Sequence, residues 1–395
     1  MSKKIKILHL ITGLHVGGAE SMLHKIVSKM DRSAFENIVI VLKQNGVVGE
    51  KIAGEGIPVF ALNMDKKLSL IGGVINLYFL LKRHKPDILQ TWMYHADFLG
   101  LVIGRLAKVP HILWNIRCSK MNKNLSKKKT KMIVRACSLL SSRPATIITN
   151  SQRALEDHIQ IGYSPEKWQI IPNGFDTNNF KPNPHAYLSL RRELKLSDET
   201  ILVGLIARLD PAKDHENFFK AVQLFNQLDE NVHFVLCGEG IEDNNPTLKK
   251  LVPDDRLRRR LHLLGLRTDM QRILPAIDIT TLSSRRESFP NVIGEAMSCG
   301  SICVTTDVGD CKYLMGEAGF IVPPQNPQEL AKAWEKAIGL SANEKTAFTL
   351  KARERIIGHF SIDSIVSLYE ELYRNVQSRF CDRQHREAMI HESTL

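Results

Sequence analysis

The sequence predicts an α/β protein of two doubly wound, Rossmann-like domains in tandem, and three observations carry that prediction. At 395 residues the chain is too long for one ordinary hydrophobic core. Short continuous apolar runs, of the kind a sheet buried on both faces requires, alternate with segments of helical spacing through both halves. Between the halves, IIPNGFDTNNFKPNPHAY at 170–187 gathers Pro, Asn and Gly and loses all periodicity.

In the first half, strands are expected in IKILHLI, NIVIVL, IPVFAL, DILQTW, HILWNI and TIITNS, with helical segments such as AESMLHKIVSKM and ALEDHIQIG between them. The second half repeats the alternation with ILVGLIARL, VHFVLCGEG, LHLLGL, DITTLSS and ICVTTDV. Strands regularly separated by helices imply parallel sheets. The expected domains are 1–175 and 176–360, followed by a helix at 361–378 that crosses back to the first domain and a loose polar tail at 379–395. Ligands of open α/β sheets bind outside the carboxyl ends of the strands, so two such sheets facing each other place the expected site in the cleft between them.

The composition, 43% hydrophobic and 24% charged with no low-complexity tract, fits a soluble globular protein. At the start, Lys6, His9 and His15 interrupt any apolar stretch, so MSKKIKILHLITGLHVGGAE reads as a buried strand and a glycine loop, not a leader. The longest apolar run, SLIGGVINLYFLL at 69–81, falls short of the roughly 20 residues of a membrane span. A cytoplasmic protein is expected. Seven cysteines without a Cys-x-x-Cys pair suggest neither a disulfide framework nor a zinc site. Cys299 and Cys303 read as small core residues flanking a helix-to-strand turn.

The net charge of +12 lies entirely in the first half: residues 1–185 hold 27 Lys and Arg against 12 Asp and Glu, residues 186–395 hold 27 against 30. Its densest part, KMNKNLSKKKTKMIVR at 120–135, has seven bases and no acid. Such a segment is a solvated face, a surface for anionic membrane or an anionic lipid-linked substrate, or a nucleic-acid contact. With no interleaved aromatics and no recognition motif, nucleic acid is not the expected partner.

The stretch ESFPNVIGEAM at 287–297 carries the chemistry. Glu287 follows an apolar strand, Pro290 suits the first turn of a helix, and NVIGEAMSC continues that helix to Gly300. Glu287 is thus expected in a loop at a strand's carboxyl end, and Glu295 one turn along the helix from Asn291. The free N–H groups of the helix start suit a phosphate, while an ionised carboxylate suits sugar hydroxyls. Arg208 and Lys213, in the loop after another strand, either pair with Asp210 and Asp214 at the surface or clamp a diphosphate. No Asp-x-Asp pair occurs, so charge neutralisation is expected from Arg, Lys and helix starts, with no cofactor and no essential metal. Gly17 and Gly18, between a strand and a helix, allow close approach of the backbone to a ligand or form only a tight turn. His95, at the start of the helix after the fourth strand, is a core histidine or a pocket residue, and Asp97 sits in the same first turn.

Set in ESFPNVIGEAMSCG, the two glutamates resemble the Glu, seven residues, Glu signature of glycosyltransferase family 4 (group 1), retaining enzymes of the GT-B fold. LHVGGAE at 14–20 resembles that family's glycine loop, TWMYHADFLG at 91–100 its pocket-histidine segment, and IIPNGFDTNNF at 170–180 its interdomain linker. ARLDPAKDHENFFKA at 207–221 resembles its basic-pair segment and CGEG at 237–240 its glycine turn. The resemblance implies that the first domain takes the acceptor and the second a nucleotide-sugar donor. It implies donor contacts at Gly17, Gly18, Arg208, Lys213, Glu287, Phe289, Pro290, Asn291, Val292 and Glu295, with Glu295 on the ribose and Glu287 on the transferred sugar. His95, Arg208, Lys213 and Glu287 form the implied catalytic set, His95 contacting the donor sugar or shaping the acceptor pocket. GLRTDM at 265–270 is implied to line the base pocket, and DVGD at 307–310 is a plain turn or a sugar contact. Ser288 and the pair Arg285-Arg286 depart from the family's pattern.

The expected function is retaining transfer of a hexose or N-acetylhexosamine, from UDP in preference to GDP, to a lipid-linked cell-surface glycan precursor, either a polyprenyl-diphosphate sugar or a lipopolysaccharide intermediate. The expected place is peripheral, on the inner face of the cytoplasmic membrane, through the basic first half. The alternatives are a sugar-nucleotide epimerase of the same architecture and a basic nucleic-acid-binding protein. A nicotinamide dehydrogenase is disfavoured, because GLHVGGAE lacks Gly-x-Gly-x-x-Gly.

Overall fold

The computed structural model describes residues 3–15, 17–65, 69–119, 128–225, 231–252 and 255–392. The chain forms two compact units, Met1–Gly174 together with Ile362–Leu395, and Phe175–Ser361.

In the first unit the strands are β1 (Ile5–Ile11), β2 (Phe35–Val41), β3 (Val59–Ala61), β4 (Ile88–Trp92), β5 (His111–Ile116), β6 (Thr146–Thr149) and β7 (Trp168–Ile170). They form one parallel seven-stranded sheet in the order β3-β2-β1-β4-β5-β6-β7. The helices are α1 (Gly18–Lys29), α2 (Val47–Gly54), α3 (Ser69–His84), α4 (Tyr94–Leu106), α5 (Lys128–Leu140) and α6 (Gln152–Gln160). The chain steps outward from β1 to β3, returns to β4 beside β1, and then steps the other way. Right-handed crossovers therefore put the helices of the two directions on opposite faces. One core accordingly joins α1 and α2 to the sheet, and a second joins α3, α4 and α5 to its other face. Cover on both sides is why β1, β4 and β5 are buried in continuous runs rather than at alternate residues.

In the second unit the strands are β8 (Ile201–Ile206), β9 (Val232–Cys237), β10 (Leu261–Leu263), β11 (Ile279–Leu282), β12 (Ile302–Thr306) and β13 (Phe320–Val322), parallel in the order β10-β9-β8-β11-β12-β13. Its helices are α7 (Pro184–Glu193), α8 (His215–Phe225), α9 (Pro246–Leu251), α10 (Asp255–Arg259), α11 (Met270–Ile273), α12 (Asn291–Cys299), α13 (Cys311–Met315), α14 (Pro327–Ile338) and α15 (Ala342–Phe360). Trp334 of α14 packs edge-on to Phe218 and Phe225 of α8 over one face, while α12, α13 and α15 build the core on the other. The fold class is the one the sequence predicts, two doubly wound parallel sheets.

Three details differ from the sequence reading. The three-residue strands β7 and β13, each at a sheet edge, are absent from it. Pro290 is the extended residue preceding the helix rather than part of its first turn. The segment expected to be a helix and then a loose tail is one helix, α16 (Ile362–Glu392). No Gly or Pro interrupts it, and Glu, Arg, Gln, Ala and Met sustain helix past residue 378. In the first unit, α16 seats Ile365, Tyr369 and Tyr373 in the same core as α1 and α2.

Candidate active site

Open α/β sheets bind ligands where the strand order reverses, because the loops there part in opposite directions. In the second unit that point lies between the paired strands β8 and β11. The loop after β8 holds Arg208 and a short turn, Pro211–Lys213, entered through Asp210, whose carboxylate accepts the Ala212 N–H at 2.8 Å. The loop after β11 holds Ser283 to Pro290.

The two loops are tied together at four places. Lys213 Nζ donates to Glu287 Oε1 at 2.6 Å, with the side chains 25% and 12% exposed. Arg285 Nε pairs with Asp214 at 2.7 Å. Ser283 Oγ donates to the Lys213 carbonyl at 2.9 Å, and the Arg285 N–H to the Ala212 carbonyl at 2.8 Å. Ser284 Oγ adds a second bond to Glu287 Oε1 at 2.6 Å, so both bonds to this carboxylate use one oxygen and neither involves Oε2. Behind the loop lies the turn after β12. At Gly309, φ is +57° and a Cβ would stand 2.6 Å from the Glu287 carbonyl oxygen and 2.7 Å from that of Ser288. The Asp310 N–H donates to the Ser288 carbonyl at 3.0 Å. The DVGD turn therefore braces the loop that carries Glu287.

Lys213 does not take the local partner Asp214 considered from sequence, because Asp214 is buried, left-handed at φ 51° and engaged by Arg285. Arg208 does pair locally, with Asp210 at 3.3 Å, but at 65% exposure that bond is a weak surface contact. Phe289 is buried, stacked 6.3 Å from Phe175, so its ring belongs to the core. Pro290 supplies no side-chain cap to α12, and Asn291, Val292 and the half-buried Glu295 follow on its first turns. His215, the first residue of α8, lies buried under the β8 loop, and burial pushes its pKa down to about 4, so the imidazole is neutral near pH 7. GLRTDM is held by Arg267, paired with Glu193 at 2.8 Å and Asp269 at 2.9 Å.

In the first unit the strand order reverses between β1 and β4. Gly17 precedes α1 in extended conformation, and the space its Cβ would fill is taken by the Glu20 carboxylate. Gly18 is the first residue of α1. His95 is the second residue of α4, half-buried, its pKa lowered by burial and by Lys43, which keeps the ring neutral near pH 7. Asp97 is a core group: fully buried, it accepts Thr91 Oγ1 at 2.5 Å, and burial raises its pKa to about 7.

Sequence reading passed over Arg117, which follows β5 at its carboxyl end. It is 8% exposed, and among the described residues its hydrogen-bond partners are neutral oxygens: Tyr369 Oη at 3.1 Å, Asn115 Oδ1 at 3.4 Å and Asn173 Oδ1. Its guanidinium also lies 5.6 Å from the Trp92 ring centre. Its position directly after a continuous apolar strand was the available signal. Arg117→Lys keeps the charge but not the forked donors, and a loss of about 2–4 kcal/mol in urea unfolding, with the m-value unchanged, is the expected result.

Among the described residues no group of three or more His, Cys, Asp or Glu is arranged to hold a metal ion, and no helix is long and apolar enough to cross a membrane.

Residues 16–179 match the family Glycosyltransferase Family 4, and residues 200–339 match Glycosyl transferases group 1. The UDP-Gal:alpha-D-GlcNAc-diphosphoundecaprenol alpha-1,3-galactosyltransferase of Escherichia coli is 26% identical over 381 residues, 94% of this chain and 97% of that protein. The N-acetylgalactosamine-N,N'-diacetylbacillosaminyl-diphospho-undecaprenol 4-alpha-N-acetylgalactosaminyltransferase of Campylobacter jejuni is 26% identical over 278 residues, 69% of each chain. Among solved structures, Anabaena HepE in complex with UDP superposes with a TM-score of 0.81 at 25% identity, covering 94% of this chain and 100% of that one.

Proposed function

The chain belongs to glycosyltransferase family 4 (group 1) and has its GT-B architecture, and from that premise we propose that it transfers a hexose or N-acetylhexosamine from UDP, with retention, to a glycan precursor on a polyprenyl diphosphate. The observation that carries the reading is the Lys213–Glu287 pair at the strand reversal of the second unit. A cation and a carboxylate held together there suit the two ends of a nucleotide sugar. Lys213 and Arg208 neutralise the diphosphate, and their charge counts most as negative charge grows on the leaving nucleotide. Glu287 Oε2, outside the two internal bonds, accepts sugar hydroxyls, and Glu295 accepts those of the ribose.

Retention follows if the acceptor hydroxyl attacks from the face the phosphate leaves. The departing phosphate oxygen then takes the acceptor proton, so no protein nucleophile is required. Glu287 orients the sugar without becoming glycosylated. UDP and a lipid-diphosphate acceptor are supported by the names of the Escherichia coli and Campylobacter relatives and by the HepE complex. His95, Gly17 and Gly18 are assigned to the sugar and acceptor side.

The test is calorimetry in EDTA across UDP- and GDP-linked hexoses and N-acetylhexosamines, with wild type beside Glu295→Ala and Arg208→Ala. One UDP-sugar is expected to bind without metal, and each variant to bind it at least about tenfold more weakly. Unchanged affinity in both variants would overturn the site assignment. Conversion of the donor to another nucleotide sugar with no acceptor present would make the protein an epimerase instead.

A further inference from the structure

Helix α3 is apolar on two opposite sides. Gly73, Leu77 and Leu81 face the sheet and are buried. Ile71, Ile75 and Phe79 are offset from them by two residues, about half a turn, and are 74%, 50% and 61% exposed. A helix apolar all round is normally covered on all sides.

The helices beside it continue the pattern. α3 packs against α4 and α4 against α5, all three over one face of the sheet. Leu106 at the end of α4 is 63% exposed, and Met132 and Leu139 of α5 are 71% and 79% exposed. Among these apolar residues stand exposed bases, Lys82 and Arg83 on α3, Arg105 on α4, and Lys128, Lys131 and Arg135 on α5. The one acid within the three helices is Asp97, and it is fully buried.

We propose that the outer face of α3, α4 and α5 docks on an anionic lipid bilayer. Exposed apolar side chains in this number suit insertion into the headgroup boundary, and bases without a single exposed acid on the same helices suit a negatively charged leaflet. A protein partner of ordinary surface would meet this face with mixed charge and leave several bases unmatched. The surface is wider than the basic segment 120–135 singled out from sequence. Residues 120–127 of that segment lie outside the described residues, and 128–135 form the first turns of α5. The use of this docking in catalysis rests on the lipid-linked acceptor proposed above; the docking itself does not.

The experiment is co-sedimentation of the full chain with vesicles of phosphatidylcholine alone or with phosphatidylglycerol added, at low and high salt. Wild type is expected to bind the anionic vesicles at least about tenfold better, and to lose that preference in high salt. Ile71→Ser with Phe79→Ser, and separately Lys128→Glu with Lys131→Glu, are each expected to weaken vesicle binding about tenfold or more. Both pairs should leave transfer to a water-soluble short-chain acceptor at the wild-type rate while slowing transfer to acceptor embedded in vesicles. Equal binding of both double variants, or no binding by wild type, overturns the proposal and leaves the transferase reading standing. A dimer in sedimentation equilibrium that Phe79→Ser dissolves would instead make this face a contact between copies and would equally overturn it. Vesicle binding as expected, with no transfer to any acceptor, would sink the functional reading and not this one.

Discussion

Glu287→Gln is expected to lower kcat for sugar transfer about 10²–10³-fold while leaving UDP binding within about threefold of wild type, or tighter. The substitution keeps the shape of the side chain and removes its charge. Two consequences follow from the roles proposed for Glu287 and Lys213. The sugar hydroxyls lose an ionised acceptor, which weakens the contacts that orient the anomeric carbon. Lys213, now tied to Glu287 Oε1 at 2.6 Å, loses its ionised partner and turns its full charge to the diphosphate. Rate and nucleotide affinity should therefore move apart. Lys213→Ala should lower both, with kcat/KM down about 10²-fold or more, because the phosphates lose a cation in the ground state and in the transition state alike. In the double variant the losses should fall well short of multiplying, since the two side chains share one bond. Stopped assays with a fixed donor, together with calorimetry for UDP, separate these outcomes. Wild-type kcat in Glu287→Gln would remove Glu287 from the reaction and leave its bond to Lys213 as a structural clasp.

That pair shows where sequence reading stops. The strands were legible because burial on both faces leaves a continuous apolar run, as in HILWNI of β5. Glu287 and Lys213 were legible as separate residues, since each follows such a run at its carboxyl end. Their contact was not, because 74 residues separate them and nothing local states that β11 lies beside β8. Reading locally, the nearest acid to Lys213 is Asp214, yet the left-handed turn there gives that acid to Arg285. Arg117 escaped for a related reason: its partners Asn115, Asn173 and Tyr369 come from β5, the end of the first unit's opening segment and α16. The edge strands β7 and β13 have only three residues each and lack the longer apolar run that made the equally short β3 and β10 legible in IPVFAL and LHLLGL. The extent of α16 was underestimated because polarity was weighed above the absence of any helix breaker. The two faces of α3 were visible only once the sheet had decided which stripe was inside.

Gly294→Val should destabilise the second unit more than any surface change considered above, by about 3 kcal/mol or more. In most helices the opposite is expected, since replacing an interior Gly with Ala adds roughly 1 kcal/mol of stability. Here the Cβ would fall on the ring of Phe175, its nearest atoms being Cζ, Cε2 and Cε1. Phe175 has no room to withdraw: it is fully buried, its N–H bonds the Phe360 carbonyl at 2.8 Å, and its ring stacks on Phe289. The clash must then move α12, which begins directly after the Glu287 loop and carries Asn291 and Glu295. Thermal unfolding followed by the fluorescence of Trp334, the one tryptophan of the second unit, should show a midpoint lowered by about 6–12 °C. Gly294→Ala should shift it the same way by less, with weaker donor binding in the fraction that remains folded. Pairing Gly294→Ala with Phe175→Leu should recover part of the loss, because the smaller side chain vacates the space the new methyl needs. A midpoint raised by Gly294→Ala would mean that helix propensity outweighs the aromatic contact and that Phe175 does not fix the position of α12.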